Sequence, residues 1–469
     1  MLIERIDIEN FRNIERMSLE LRPLTVIVGP NASGKSSILY ALLWILLRAD
    51  NPTLTNPPSP KEKEILSINS YEDLVFRKER GRWFGVHFAL KLNEYLKRLL
   101  KKQAREIRWE YINVHEPSFE RVNYGFFLKI NQRGELDYRV LLKVDDIEIS
   151  FTQELDEVKG EYRNEISGPG KLKAIVFPSP VYTYTLFGRL YLTDIFLRGG
   201  VTFSTEHKAE LDRLEKLLEF LLEKIRSEIT GHIFFLASGR GREVPLSLEI
   251  KDIEARGVVG FYGEKLLNAL LSVYAAASSG IREVLGSELD KWAERFGLKD
   301  LTAGLEEKAA KAKYKDPSGV EVDVASAAYG HKQLLPFLTQ CIAAPRNSMI
   351  MIEEPEISLH PSSQALLPLF FADMIKKYDK QIIITTHSPF LVMAIADAIS
   401  GSEEFPDVQR LRPQDVVIYE VERDDAGAAK PREIKLSKEG YPKDGIPSFL
   451  KVELNLYNKL LKRLGEGYE

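Results

Sequence analysis

A chain of 469 residues exceeds what one hydrophobic core organises, so two or three domains are expected. Its 44% hydrophobic and 29% charged residues exclude global disorder. A net charge of −4 argues against wholesale coating of nucleic acid while allowing a local basic patch. The single cysteine, Cys341, excludes an intrachain disulfide and a Cys₄ or Cys₂His₂ zinc site, and the seven scattered histidines show no metal-ligand spacing. Residues 1–5 lack the features of a signal peptide, and the apolar stretch 38–47 is too short to cross a bilayer. A cytoplasmic protein with no membrane partner is expected.

The first informative element is an apolar, β-branched run, Leu24-Thr25-Val26-Ile27-Val28, which reads as a buried strand. It runs into Gly29-Pro30-Asn31-Ala32-Ser33-Gly34-Lys35-Ser36, which fits the phosphate-binding pattern G-x-x-x-x-G-K-[ST]. Ser37 and the Leu- and Ala-rich residues after it predict a helix. Strand, glycine loop and helix together form an anion cradle of backbone N–H groups and a positive helix end. In it Lys35 would reach the β- and γ-phosphates of ATP, and the Ser36 hydroxyl would ligate Mg²⁺.

Prolines mark residues 51–58 as a loop. Alternating stretches at 83–92, 107–114 and 124–130, with an Asn131-Gln132-Arg133-Gly134 turn into 136–143, predict an antiparallel sheet. The most basic window of the chain lies here. Between Arg77 and Arg108 stand eleven Lys and Arg against Glu79, Glu94 and Glu106, with Trp83 and Trp109 in or beside the run. It is a candidate contact for DNA phosphates or simply a solvated helix face over 95–105. Leucines at helical spacing from Leu211 to Ile225 predict one long amphipathic helix over 205–229, with further helices over 263–277 and 281–296. Between them Ser238-Gly239-Arg240-Gly241-Arg242 sets two arginines on a glycine turn to which no role attaches.

Met349-Ile350-Met351-Ile352-Glu353-Glu354-Pro355-Glu356 reads as a buried strand delivering carboxylates at its C-terminal end, where open α/β sheets bind ligands. Glu353 is the candidate to hold Mg²⁺ through its water shell, and Glu354 the candidate base for the attacking water. Ile382-Ile383-Ile384-Thr385-Thr386-His387 is a second such strand, ending in a histidine able to sense a γ-phosphate or its water. The tail shows strand patterns at 415–422 and 432–436 and a helix pattern over 449–464.

These motifs, with the opening Ile6-Asp7-Ile8-Glu9-Asn10-Phe11-Arg12-Asn13-Ile14, resemble the ABC-type P-loop ATPases of the OLD/RecF/SMC branch, and within it the predicted AAA ATPases. The strong matches lie in 1–50 and 324–400. The resemblance implies an α/β fold: a split P-loop NTPase head of ABC type, with an antiparallel β lobe and a short inserted helical arm. The corresponding segments are 1–50 and 301–400 for the two halves of the head, 51–200 for the β lobe, 201–300 for the arm, and 401–469 for strands and a helix completing the head. It also implies heads that form a homodimer or larger homo-oligomer around ATP, each site completed by the partner's signature motif. The candidate is Ser326-Ala327-Ala328-Tyr329-Gly330-His331-Lys332-Gln333. It departs from Ser-x-Gly-x-[KR] because Ala328 stands where the phosphate-facing serine would be, leaving Gly330 and Ser326 as candidates. The D-loop would be Glu356-Ile357-Ser358-Leu359-His360, and Gln153 does not match the context of a Q-loop. OLD nucleases carry a further metal-binding nuclease domain; the adjacent pair Asp424-Asp425 does not supply its separated acids.

The leading expectation is therefore an Mg²⁺-dependent ATPase coupled to DNA or to a nuclease or other protein partner, in repair or phage defence. A nucleotide-gated switch with little hydrolysis and a transporter ATPase subunit are the alternatives. A GTPase is not expected, since no Asn-Lys-x-Asp motif follows and Asn458-Lys459-Leu460-Leu461 lacks the acid.

Overall fold

The computed structural model describes residues 2–50, 58–156, 159, 161–168, 173–176, 204–241, 248–249, 258–274, 280–306, 309–449 and 459. Most of the 51–58 loop, Arg242, residues 275–277 and most of the helix expected over 449–464 lie outside them. In chain order the strands are β1 (Leu2–Phe11), β2 (Ile14–Glu20), β3 (Leu24–Val28), β4 (Phe84–Lys91), β5 (Arg121–Ile130), β6 (Leu136–Val144), β7 (Ile147–Asp156), β8 (Glu161–Ser167), β9 (Lys173–Val176), β10 (Ile233–Leu236), β11 (Leu248–Glu249), β12 (Lys299–Glu306), β13 (Ala309–Lys315), β14 (Glu321–Asp323), β15 (Met349–Glu353), β16 (Gln381–Thr386), β17 (Val416–Arg423) and β18 (Ala429–Ile434). The helices are α1 (Lys35–Asp50), α2 (Pro60–Leu66), α3 (Glu94–Ala104), α4 (Thr205–His232), α5 (Leu266–Tyr274), α6 (Gly280–Arg295), α7 (Tyr329–Ala343), α8 (Pro361–Tyr378), α9 (Pro389–Met393) and α10 (Ile395–Ser400). The chain divides into two compact units, one of Met1–Leu21, Ser36–Ile233 and Arg423–Lys430, the other of Arg22–Lys35, Phe234–Glu422 and Pro431–Glu469.

The first unit is built on an eight-stranded sheet in the order β2-β1-β4-β5-β6-β7-β8-β9. Its neighbouring strands pair antiparallel throughout. In β7 buried residues alternate with partly exposed ones, the period of a sheet with one covered face. Nearly all of α1 is apolar and buried, which marks a helix enclosed by protein rather than one lying on a surface. Trp44 on α1 is 1% exposed and sets its ring 5.8 Å from Phe11, 5.7 Å from Phe84 and 5.3 Å from Phe126. The expected strand at 107–114 is instead a 3₁₀ turn, Trp109–Ile112. Trp109 and Ile112 are the buried pair, and their i, i+3 spacing suits one turn of helix rather than a strand. Asn113, at φ +59°, ends the turn, and Glu210 of α4 accepts the Arg108 N–H.

The second unit centres on a six-stranded sheet, β10-β15-β16-β3-β17-β18, whose four middle strands are parallel. Every residue of β3, β15 and β16 is buried, so these strands are continuous apolar runs, as parallel strands covered on both faces must be. Helices α5 and α6 pack on α7, and Trp292 of α6 meets Phe370 of α8 edge-on at 5.2 Å. A small antiparallel sheet, β11-β13-β12 with β14 beside β13, completes the unit. Of the three helices expected between 201 and 300, α4 thus lies in the first unit and α5 and α6 in the second.

Lys380 is 2% exposed just before β16 and donates to the carbonyls of Ala344 and Pro345 at the C-terminal end of α7. Such a cation complements the negative end of a helix, yet burial lowers its pKa from 10.5 to about 8.

Replacing Trp44 by Ala should destabilise the protein by about 3–5 kcal/mol, the cost of emptying a large aromatic site, read as a fall in the urea midpoint. The Lys380 proton is held more weakly in the folded chain, so the unfolded state binds the extra proton between pH 8 and 10.5. That component of stability is fully present above 10.5 and lost as pH falls through 8. Wild-type stability should therefore rise relative to Lys380→Met when urea midpoints at pH 7.5 and pH 10 are compared.

Candidate nucleotide site

Register brings the three sequence motifs of the second unit to one edge. Thr385 pairs with Glu353 on one side and Ile27 on the other, and Thr386 pairs with Val28. The chain therefore leaves β3 into Gly29, β15 into Glu354 and β16 into His387 at the same C-terminal edge, the edge where open α/β sheets hold ligands.

Gly29 sits at φ +143°, and a Cβ there would lie 2.2 Å from the Val421 carbonyl oxygen, so neither backbone nor space admits another residue. Ala32 and Gly34 also take positive φ, +60° and +120°. Pro30, Asn31 and Ala32 are exposed while Ser33, Gly34 and Lys35 are buried, and Ser33 N–H closes the turn on the Pro30 carbonyl at 3.3 Å. Ser36 is half-buried and Ser37 buried in the first turn of α1. The Lys35 ammonium donates to Gly29 O at 3.0 Å and Pro30 O at 2.8 Å and makes no ion pair among the described residues. Burial lowers its pKa, opposed by the fields of Glu354, Glu356 and Glu353. The Ser33 Oγ is buried without a hydrogen-bond partner. A cation with no counter-anion and an orphaned hydroxyl in a loop of this shape fit a bound phosphate.

Glu353 is 4% exposed, and its Oε2 accepts the Ser238 N–H at 3.3 Å. Glu354 takes φ +44°, a left-handed conformation costly for a residue with a side chain. Its N–H donates to Thr385 O at 3.0 Å, and its own carbonyl accepts from Arg240. Its Oε1 lies 3.4 Å from His387 Nε2, with both side chains about one-third exposed. The His387 hydrogen bond holds the Glu354 carboxyl below the usual glutamate range against the effect of burial, helped by the charges of His387, Lys35 and Arg240. Glu354 is thus an ionised acceptor beside an imidazole at the protein surface.

Sequence reading missed what Glu356 does. Its Oε1 accepts from Thr386 Oγ1 and from the His387 N–H, each at 2.7 Å, so it fixes the backbone that carries the imidazole. Its Oε2 is buried without a partner, and burial pushes its pKa up despite those two donors. Among the described residues no three His, Cys, Asp or Glu side chains form a metal cage. Mg²⁺ characteristically needs only one or two protein oxygens beside phosphates and water, for which Ser36 and Glu353 are the candidates.

The signature segment runs from the 3₁₀ turn Val324–Ser326 into α7. Ala328 caps α7 with no side-chain bond, leaving the first-turn N–H groups without the hydroxyl acceptor that a serine supplies. Gly330 approaches the D-loop so closely that a Cβ would lie 2.6 Å from the Ser358 carbonyl oxygen. Ser326 is exposed, and neither it nor Gly330 hydrogen-bonds to the phosphate loop among the described residues.

In the first unit, much of the basic window is satisfied locally. Arg77 donates to Ala426 O at 2.6 Å, and Lys78, Arg80 and Arg82 pair with Asp73, Glu72 and Glu79. Lys97 pairs with Glu94 and Glu120, and Arg108 with the buried Glu210. Trp109 is buried, and Lys129 and Arg139 already lie over the half-buried Trp83 ring. Lys91, Arg98, Lys101, Lys102 and Arg105 are exposed and have no ion pair among the described residues. Arg98 and Lys102 of α3 and Arg105 at its C-cap follow Tyr95, itself 69% exposed, at i+3, i+7 and i+10.

Replacing Gly29 by Ala should strain the loop by about 1–3 kcal/mol, roughly a five- to hundredfold loss in affinity for a fluorescent ATP analogue measured by titration.

Comparison with known proteins bears on this site directly. Residues 24–394, well over half of the chain, match the family model described as "AAA domain, putative AbiEii toxin, Type IV TA system". The "DNA replication and repair protein RecF" of Alkaliphilus oremlandii is 29% identical over 102 residues, 22% of this chain and 26% of that protein. The "OLD nuclease" of Thermus scotoductus is 47% identical over 45 residues, 10% of this chain and 8% of that protein. Both stretches fall far short of two thirds of the relative's own length. The SMC head domain from Thermotoga maritima aligns with 93% of this chain and 100% of its own, at 12% identity and a TM-score of 0.41. On the family match, the motifs and the sheet that unites them, the chain belongs to this AAA family and is a P-loop ATPase of the OLD/RecF/SMC branch, with the split α/β head that branch implies.

Proposed function

We propose that the chain binds and hydrolyses MgATP and that hydrolysis is coupled to a DNA transaction. The observation that carries this reading is the Glu354 carboxyl 3.4 Å from His387 Nε2, at the ends of adjacent parallel strands whose next neighbour runs into the phosphate loop. Lys35 exchanges its two loop carbonyls for β- and γ-phosphate oxygens, and the loop from Gly29 through Ser36 to Ser37 wraps the phosphates with backbone N–H groups. Ser36 and Glu353 would hold Mg²⁺, which would neutralise charge developing on the phosphates. Glu354 Oε1 orients the attacking water and takes its proton, and the depressed pKa keeps that oxygen ionised at neutral pH. His387 donates from Nε2 to hold that carboxylate or the water, on a backbone fixed by Glu356.

Two heads related as a dimer would complete each site with Ser326 and Gly330 of the facing copy, at the uncapped start of α7. The RecF relatives carry DNA replication and repair in their name, and the free cations of α3 suit a phosphate backbone. A protein partner, a nuclease among them, in repair or phage defence fits the same ATP-driven head. A second reading, a nucleotide-gated switch with slow turnover, is favoured by one feature: Ala328 at the cap of α7 supplies no hydroxyl.

The test is ATP turnover with Mg²⁺, with and without double-stranded DNA. Glu354→Gln should lower kcat by about 10²–10⁴-fold while ATP still binds. DNA should raise the wild-type rate, and replacing Arg98, Lys102 and Arg105 together by Glu should abolish that rise and flatten the salt dependence of DNA binding by about one unit per lost phosphate contact. Equal rates for wild type and Glu354→Gln would sink the hydrolytic reading and leave the switch. A rate indifferent to DNA would move the coupling to a protein partner.

A further inference from the structure

Arg240 lies on the turn between β10 and α5 and is wholly buried. Among the described residues it meets no carboxylate side chain within ion-pair distance; its planar fork is spent on backbone carbonyls. Nε donates to Gln333 O at 2.9 Å, in the first turns of α7. Nη1 donates to Ala237 O at 3.0 Å and to Glu353 O at 2.6 Å, and Nη2 donates to Glu354 O at 3.0 Å. The Phe337 ring, one turn further along α7, lies 5.3 Å from the guanidinium carbon. Burial lowers its pKa to about 10, so it remains a cation at neutral pH.

Burying a guanidinium is costly, and carbonyl acceptors alone compensate for it less completely than a carboxylate would. A residue held on such terms orders whatever it touches. What it touches is specific. Gln333 belongs to the helix whose N-terminus carries Gly330 of the signature, and Glu353 and Glu354 are the carboxylate-bearing residues at the end of β15. Glu354 is also in a left-handed conformation, which persists only where its surroundings fix it. Its N–H is held by Thr385, and its C=O accepts from both the Ile357 N–H at 3.2 Å and Arg240, so Arg240 is the side chain among the three partners that hold that backbone.

We propose that Arg240 is a positioning residue that ties the first turns of α7 to the strained backbone of Glu354, so that displacement of the signature helix moves the catalytic carboxylate. This rests on the reading of Glu354 as the base. One planar side chain spans 93 residues to Gln333 and 114 residues to Glu354 along the chain, and it does so without binding nucleotide itself. Contact of a second head or any partner with the start of α7 would thus reach Glu354 through a single rigid group. Lys cannot replace it, because one ammonium cannot present the fixed fork that meets four carbonyls.

The experiment compares wild type, Glu354→Gln, Arg240→Lys and Arg240→Met as full chains. For Arg240→Lys, kcat should fall about ten- to a hundredfold, as expected for a misplaced catalytic group, with KM for ATP changed less than about threefold. Amide hydrogen exchange should rise together in peptides covering 329–335 and 352–357. A normal kcat in Arg240→Lys, or faster exchange in only one of the two segments, overturns the proposal. If wild type matches Glu354→Gln, the hydrolytic reading has failed on its own, and the exchange data still decide the linkage. Should both Arg240 variants fail to fold, exchange on wild type with and without a non-hydrolysable ATP analogue decides. Joint change in the two segments supports the tie, and change in one alone overturns it.

Discussion

The site depends on a register. Ile27, Thr385 and Glu353 stand abreast on three parallel strands, so the phosphate loop, the imidazole and the carboxylates leave the sheet side by side although they are separated by more than three hundred residues of chain. A slip of one residue in any of these strands would turn its terminal side chain to the opposite face of the sheet. The strands resist that slip through their neighbours above and below, because every residue in them is buried. Glu356 then locks the last step by accepting both the Thr386 hydroxyl and the His387 N–H.

The electrostatics of the edge are unbalanced in a directed way. Among the described residues Lys35 is buried without an ion pair, Glu356 has an unpartnered oxygen, and Arg240 is satisfied by carbonyls alone. Three acidic residues, Glu353, Glu354 and Glu356, lie close enough to Lys35 and Arg240 that their fields oppose the effect of burial on both cations without direct pairing. Direct ion pairs would cancel these charges. Kept apart by the backbone geometry, they remain available to phosphate, to a divalent cation and to a proton. The positive φ values at Gly29, Ala32, Gly34 and Glu354 belong to the same design, since the groups could not be held apart by relaxed turns.

How much of this was legible in the sequence follows from what kind of group makes each contact. Continuous apolar runs ending in Gly29, Glu354 and His387 announce buried parallel strands, because a strand covered on both faces has no polar alternation to blur it. The helices predicted over 205–229 and 281–296 appear within a few residues of their expected ends, since buried apolar residues repeat at helical spacing, leucines from Leu211 to Leu222 in the first and Leu289, Trp292 and Phe296 in and just after the second. Residues 107–114 misled because the buried side chains Ile107, Trp109 and Ile112 combine a strand-like spacing of two with a turn-like spacing of three, too short a pattern to separate the two. The basic window shows the opposite limit: six of its eleven cations are occupied, some by acids a few residues away and others, Arg77 on the Ala426 carbonyl and Arg108 on Glu210, by partners that lie nearby only in the fold. Arg240 was visible as a residue but not as a part of the site. Its acceptors are backbone carbonyls, which leave no trace in residue type.

The signature segment brings these arguments together. In place of a serine hydroxyl, the start of α7 offers an alanine cap, a glycine pressed against the Ser358 carbonyl, and the bare N–H groups of its first turn. That is a weak anion site for an isolated head, since a helix end alone contributes modestly and is screened by water. It gains strength only where a facing surface excludes solvent and brings a phosphate to it, because in a low dielectric the same N–H groups interact far more strongly. Lacking the hydroxyl, this chain would depend more on the placement of the helix than on the chemistry of its cap. The contacts that fix that placement, Arg240 on Gln333 and Gly330 against Ser358, therefore bear more of the specificity here than they would beside a serine.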